Sequence, residues 1–232
     1  MKTDLTSLLE IVKSIFRVLT FRATETEMTS WGKAHLAFGL LCAWLAGMGR
    51  SWDDAGASLL RKSGIGSIGY VLALSFLLYL IVDPLSESRT RYRHILTFVC
   101  FTAPLGMLYA IPVELFTPHE TALQINMWFL AIVAAWRVAL LAFYFRRALA
   151  LSWSEVVLCT LLPLSIIMTP LTVMNFLNFI GEAMSGLREQ GETDPMAGVL
   201  KFLGIFAFYS LLPLLAWHQI AIRNVNQKNW WQ

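Results

Sequence analysis

Arg137 stands in "AIVAAWRVAL" (131–140), an apolar run with no acid within nine residues on either side. A guanidinium in such a run either pairs with a structural partner or recognises a carboxylate or phosphate through two parallel hydrogen bonds. On a helix, Asn126, Leu130, Val133, Leu141 and Tyr144 share its side, so Asn126, Arg137 and Tyr144 form a polar line. Ala131, Ala135 and Ala139 form the opposite side, narrow enough for another helix to approach closely. For a structural ion pair the nearest acid by expected depth is Asp83 in "VDPL", followed by Glu155.

A second polar group lies further along. Ser165, Thr169 and Thr172 share one face of an apolar stretch, and Asn175 and Asn178 extend the polarity. Hydroxyls and amides at this spacing either hydrogen-bond between helices or line a hydrated path. In the second case they would face Arg137, Asn126 and Tyr144, and the six would form a ligand site of a small transporter or channel for an anionic solute or lipid. A third group is the acidic cluster Asp53, Asp54 and Glu114 on the expected outer face, with Arg50 beside the first two. Adjacent carboxylates can bind a cation or act as acid and base, or can simply cap a helix and pair with the arginine.

Signatures of enzymes are missing. The sequence has no H-E-x-x-H, no G-x-S-x-G and no pair of acids inside apolar segments. Gly64, Gly66 and Gly69 match G-x-G-x-x-G, but a basic loop precedes them where a dinucleotide site needs a strand, so they are expected to serve helix packing. Cys42, Cys100 and Cys159 are far apart and within apolar segments, which gives neither a metal site nor a disulfide framework. No catalytic residue, metal or cofactor is expected.

The elements that would position these residues follow from composition. The chain is 57% hydrophobic and 14% charged, with a mean hydropathy of +0.60. That leaves too little polar surface to cover a water-exposed globule, and the apolar residues fall in blocks near the ~20 residues that cross a bilayer core. Six spans are expected, over 34–49, 64–82, 95–113, 123–145, 156–180 and 198–222. Ahead of them, "LTSLLEIVKSIFRVLTF" (5–21) has apolar residues at helical spacing opposite Glu10, Lys13 and Arg17. That pattern predicts an amphipathic helix, in the membrane interface or across the bundle end. Prolines 104, 112, 163, 170 and 213 interrupt three spans, and Gly39, Ala43 and Gly47 make a small-residue stripe in the first. The expected fold is thus all-α: a cytoplasmic amphipathic segment (1–33), a transmembrane bundle (34–222) and a cytoplasmic tail (223–232).

Charge sets the expected orientation. Twelve of the 18 Lys and Arg fall in segments 1–33, 83–94, 146–155 and 223–232, against four in 50–63, 114–122 and 181–197. By the positive-inside rule both termini are cytoplasmic. Trp31, Trp52, Trp128 and Trp153 fall at span ends, as interfacial tryptophans do. The net charge of +3 lacks the dense basic stripe of a nucleic-acid binder.

The amphipathic helix, then "FRVLTFRATETEM" (16–28), then a Trp-led span resemble the opening of bacterial Yip1-like membrane proteins. The resemblance covers about the first 50 residues and implies a small polytopic protein concerned with membrane organisation. The family's usual five spans differ from the six counted, and its acidic-aromatic motif is absent, so no residue role is carried over. The whole chain resembles bacterial inner-membrane proteins. The expected function is non-catalytic organisation of lipids, anionic ones among them, or of partner proteins, with a second copy or another membrane protein as partner.

Overall fold

In the computed structural model, residues 2–49, 58–86, 91–113, 116–185 and 195–229 are described. They are mainly helical, with no strand among them. The chain falls into two compact units, Met1–Ser152 and Trp153–Gln232.

The first unit contains α1 (Lys2–Leu19), α2 (Glu25–Ser30), α3 (Lys33–Gly49), the short α4 (Leu59–Lys62), α5 (Ile65–Val82), α6 (Tyr92–Phe101) and α7 (His119–Ala148). A 3-10 turn, Asp83–Leu85, closes α5, and a 3-10 segment, Ala103–Ala110, follows α6. The second unit is a pair of long packed helices, α8 (Trp153–Ser185) and α9 (Pro195–Asn229).

Four helices are long and apolar enough to cross a membrane: Ile65–Leu85, Gln124–Ala148, Trp153–Met174 and Lys201–Val225. Between 22% and 39% of each apolar window is buried, so most of this surface needs an apolar solvent. The other two expected spans differ. The first is the 17-residue helix Lys33–Gly49, shorter than the ~20 residues a crossing takes. The third, expected over 95–113, is no single helix. Pro104 has no N–H to give the preceding turn, so α6 ends at Phe101 and the chain tightens, with Leu105 N–H bonding the Thr102 carbonyl at 3.3 Å.

This third segment is the core of the first unit. Every residue from Ile95 to Ala103 is buried, a mostly apolar all-round pattern in which the hydroxyls of Thr97 and Thr102 donate to the carbonyls of Arg93 and Val99. It packs against α1, α2, α3 and α5. The α3 stripe makes the closest approach: a Cβ on Gly39 would lie 2.8 Å from Cys100 Cβ, and one on Gly47 would meet Ser67. In "GIGSIGY" only Gly64 has a backbone reason, at φ +70 and against the Trp44 carbonyl. Gly66 and Gly69 face open space, which corrects the expectation that all three serve helix approach. Trp31, expected at the interface, is instead buried against Phe101 with ring centroids 5.0 Å apart. Trp128 and Trp153 are exposed.

α1 divides into three arcs rather than two. Ile11, Ser14, Ile15 and Val18 are buried in the protein, while Glu10, Lys13 and Arg17 form an exposed charged arc. Leu8, Leu9, Val12 and Phe16 form an exposed apolar arc between them. Lys13 donates to Glu10 at 2.8 Å, which holds that carboxyl below its ordinary pKa.

The steric argument predicts opposite outcomes at two glycines. Gly39→Val should cost about 1–3 kcal/mol by overpacking and lower Tm by several degrees in detergent. Gly69→Ala should leave Tm unchanged or raise it, since Gly69 faces open space inside α5 and an interior helical glycine costs about 1 kcal/mol relative to alanine. Thermal unfolding of the two variants beside wild type checks both.

Candidate functional site

Arg137 sits where the third segment is broken. α7 packs along the 3-10 segment, and Arg137 Nη2 donates to the Thr102 carbonyl at 3.4 Å. The helix break leaves this oxygen facing α7 with only the long 3-10 bond from Leu105. Room for the guanidinium comes from Gly106, whose missing Cβ would lie 3.3 Å from Nη2. Asp83 opens the 3-10 turn after α5 and takes part in none of the ion pairs found among the described residues. About two turns along the same α7 face, Tyr144 is 1% exposed and stacks on Phe98 at 4.2 Å and 15°. Asn126 lies half-buried 11 residues before Arg137, about 16 Å along the helix axis. The polar line is therefore real as a face, but its three members meet different surroundings. The opposite face, Ala131, Ala135 and Ala139, is exposed rather than packed within the chain.

The elbow between α1 and α2 makes a second constellation in the same unit. Thr24 caps α2 through Glu27 N–H at 3.3 Å, the start of a T-x-x-E capping box. The Glu27 carboxylate is spent elsewhere, accepting from Ser14 Oγ and pairing with Arg17 at 3.5 Å, so it locks α2 onto α1. Phe21, at φ +60, turns the chain and seats its ring against Trp136 and Phe143 at 5.7 and 5.6 Å. Trp136 Nε1 donates to the Leu19 carbonyl at 3.0 Å. A cavity of about 550 Å³ is lined by Thr24, Glu25, Thr26, Arg146, Arg147 and Ala150. Arg146 Nη1 donates to the Leu151 carbonyl at 2.8 Å, and Ala150 holds φ +52, a conformation costly for a residue with a Cβ.

The second unit brings the hydroxyl group together with α9. Ser165 Oγ and Ser210 Oγ are 3.1 Å apart across the pair. Thr172 donates to the Met168 carbonyl and occupies the space left by Gly204. Thr169 Oγ1 is buried without a hydrogen-bond partner among the described residues. Pro163 and Pro170 lie inside a continuous α8, as Pro213 does in α9. Arg137, Asn126 and Tyr144 belong to the first unit, and Ser165, Thr169 and Thr172 to the second. Asp53, Asp54 and Glu114 lie outside the described residues.

Thr102, Gly106 and the cavity pair Arg146 and Arg147 did not stand out in the sequence. The arginines counted there only as orienting charges, and Thr102 acts through its carbonyl, which every residue has. Pro104 was the available signal, because a proline in an apolar helix leaves carbonyls that some donor must reach. The chain matches no known protein family, no curated protein and no solved structure.

Two measurements separate these contacts. Arg137→Leu should lower stability by about 1–3 kcal/mol, the cost of a buried carbonyl losing a charged donor, and Arg137→Lys should recover part of it. Chemical denaturation in detergent reads both. A double-mutant cycle on Ser165→Ala and Ser210→Ala should give a coupling of about 0.6 kcal/mol, the mean for hydrogen bonds between membrane helices.

Proposed function

We infer that this chain is a multi-pass integral membrane protein of a bacterial inner membrane that organises lipids or partner proteins without catalysing a reaction. The observation that carries the reading is the exposed apolar arc of α1, Leu8, Leu9, Val12 and Phe16, on a helix whose other apolar arc is already buried in the protein. A helix anchored by one arc and presenting a second apolar arc beside charges has the form of an element lying in the headgroup boundary. Four membrane-capable helices support the membrane setting. The exposed face of Ala131, Ala135 and Ala139 suits close approach by a helix of a second copy or of another membrane protein. The excess of Lys and Arg in the segments named above supports cytoplasmic termini.

Cysteine accessibility tests this. With the native cysteines replaced, Phe16→Cys in sealed inverted inner-membrane vesicles should resist a membrane-impermeant maleimide until detergent is added. Lys13→Cys should label before and after. Equal labelling of the two positions in intact vesicles would mean that the apolar arc faces water, and the reading would fail.

A further inference from the structure

The charges around the exposed apolar arc of α1 suit one kind of bilayer surface. Residues 8–30 hold three basic side chains, Lys13, Arg17 and Arg22, and three acidic ones, Glu10, Glu25 and Glu27. Lys2 and Asp4 ahead of them add one of each. Both cations of the exposed charged arc stand beside an acid: Lys13 donates to Glu10 at 2.8 Å, and Arg17 pairs with Glu27 at 3.5 Å. The first pair is exposed and weakly held. Its two charges nevertheless lie well within the ~10 Å over which salt screens, so a headgroup layer meets them as neutral. A helix that recruits anionic lipid carries a surplus of Lys and Arg on its polar face, each adding about fivefold to binding. This segment has no such surplus.

What remains is apolar. Leu8, Leu9, Val12 and Phe16 are between 45% and 64% exposed. Past the end of the helix, the half-exposed rings of Phe21 and Trp136 lie 5.7 Å apart. Trp136 Nε1 holds the Leu19 carbonyl at 3.0 Å, and Trp136 belongs to the membrane-capable stretch Gln124–Ala148. The end of α1 is thus fixed against a helix whose apolar surface calls for lipid, which favours lipid over a soluble partner as the cover of the arc. Bulky apolar side chains enter a headgroup layer where the headgroups are spread apart, as over kinked unsaturated chains. Helices seated in this way respond to lipid packing.

We propose that α1 seats in the headgroup layer through its apolar arc alone, and so selects loosely packed bilayers without regard to headgroup charge. The inference rests on the membrane reading above and names the lipid property that its interfacial helix recognises. The anionic lipids expected from the sequence gain no preference at this surface.

The test uses the full chain with its native cysteines replaced and a polarity-sensitive nitrobenzoxadiazole dye on Val12→Cys. It is reconstituted into dioleoyl phosphatidylcholine, whose headgroups are loosely packed, and into the tighter palmitoyl-oleoyl form, each with and without phosphatidylglycerol. Dye emission reads the ratio of seated to unseated α1. That ratio should be severalfold higher in the dioleoyl lipid and should hardly change with phosphatidylglycerol or salt. Phe16→Ser, at an exposed position that leaves the core intact, should lower it in every lipid. Glu10→Gln leaves Lys13 uncompensated, so phosphatidylglycerol at low salt should raise the ratio about fivefold and high salt should reverse the gain. A wild-type ratio that rises severalfold with phosphatidylglycerol and collapses in salt overturns the proposal, because headgroup charge is then what α1 recognises. Equal ratios in the two phosphatidylcholines overturn it too. Extraction with alkaline carbonate separates this from the membrane reading. A chain that leaves the membrane pellet, or a dye that reports water in every lipid, defeats that reading. A retained chain with α1 seated equally in both lipids defeats only the packing preference.

Discussion

The first unit depends on enclosing a segment, Ile95–Ala103, that is buried on every side and ended by a proline. From Ile95 to Ala103 every residue is buried, so α6 beyond its first turn needs neighbours all round. α3 and α5 supply two of them, and the small residues of α3 set how near they come. α1 and α2 also pack on it, which explains why a segment with the look of a surface-lying helix commits one arc to protein. At its far end the break at Pro104 turns the Thr102 carbonyl toward α7, and Arg137 answers it. Buried backbone groups are almost always paired, and the cost of failing to pair one rises in an apolar surround.

Arg137 is therefore explained by a backbone oxygen before any ligand is invoked. An arginine within a membrane-capable helix usually faces the bundle interior, where it can pair with other side chains or with carbonyls. Here Gly106 gives it access to the 3-10 segment, while Tyr144 farther along the same face is occupied in stacking on Phe98. Two more arginines of α7, Arg146 and Arg147, stand at its end and border a cavity with Thr24, Glu25 and Thr26 of the α1–α2 elbow.

The elbow shows how local and tertiary preferences combine. Thr24 begins a capping box, yet Glu27 gives its carboxylate to Ser14 and Arg17 on α1. The left-handed Phe21 then delivers its ring to Trp136 and Phe143. One short stretch thereby ties α1 to the membrane-capable α7.

Composition and periodicity alone determined that the chain is helical, that it carries helices suited to a bilayer, and that Gly39, Ala43 and Gly47 would lie against a neighbour. These properties are local sums: hydropathy over a window, or the side of a helix on which a residue falls. Tertiary structure decided that the third apolar run is a buried, broken helix, since a core helix and a lipid-facing one both read as unbroken hydrophobicity. It decided that Trp31 is core rather than interface, and that the apolar residues of α1 belong to two arcs with different surroundings. It also brought Arg137 to the Thr102 carbonyl, because a main-chain carbonyl leaves no mark in the residue types. The cavity at Arg146 and Arg147 needed the fold most of all, since residues 24–26 and 146–150 come together only through the turn at Phe21 and its packing on α7.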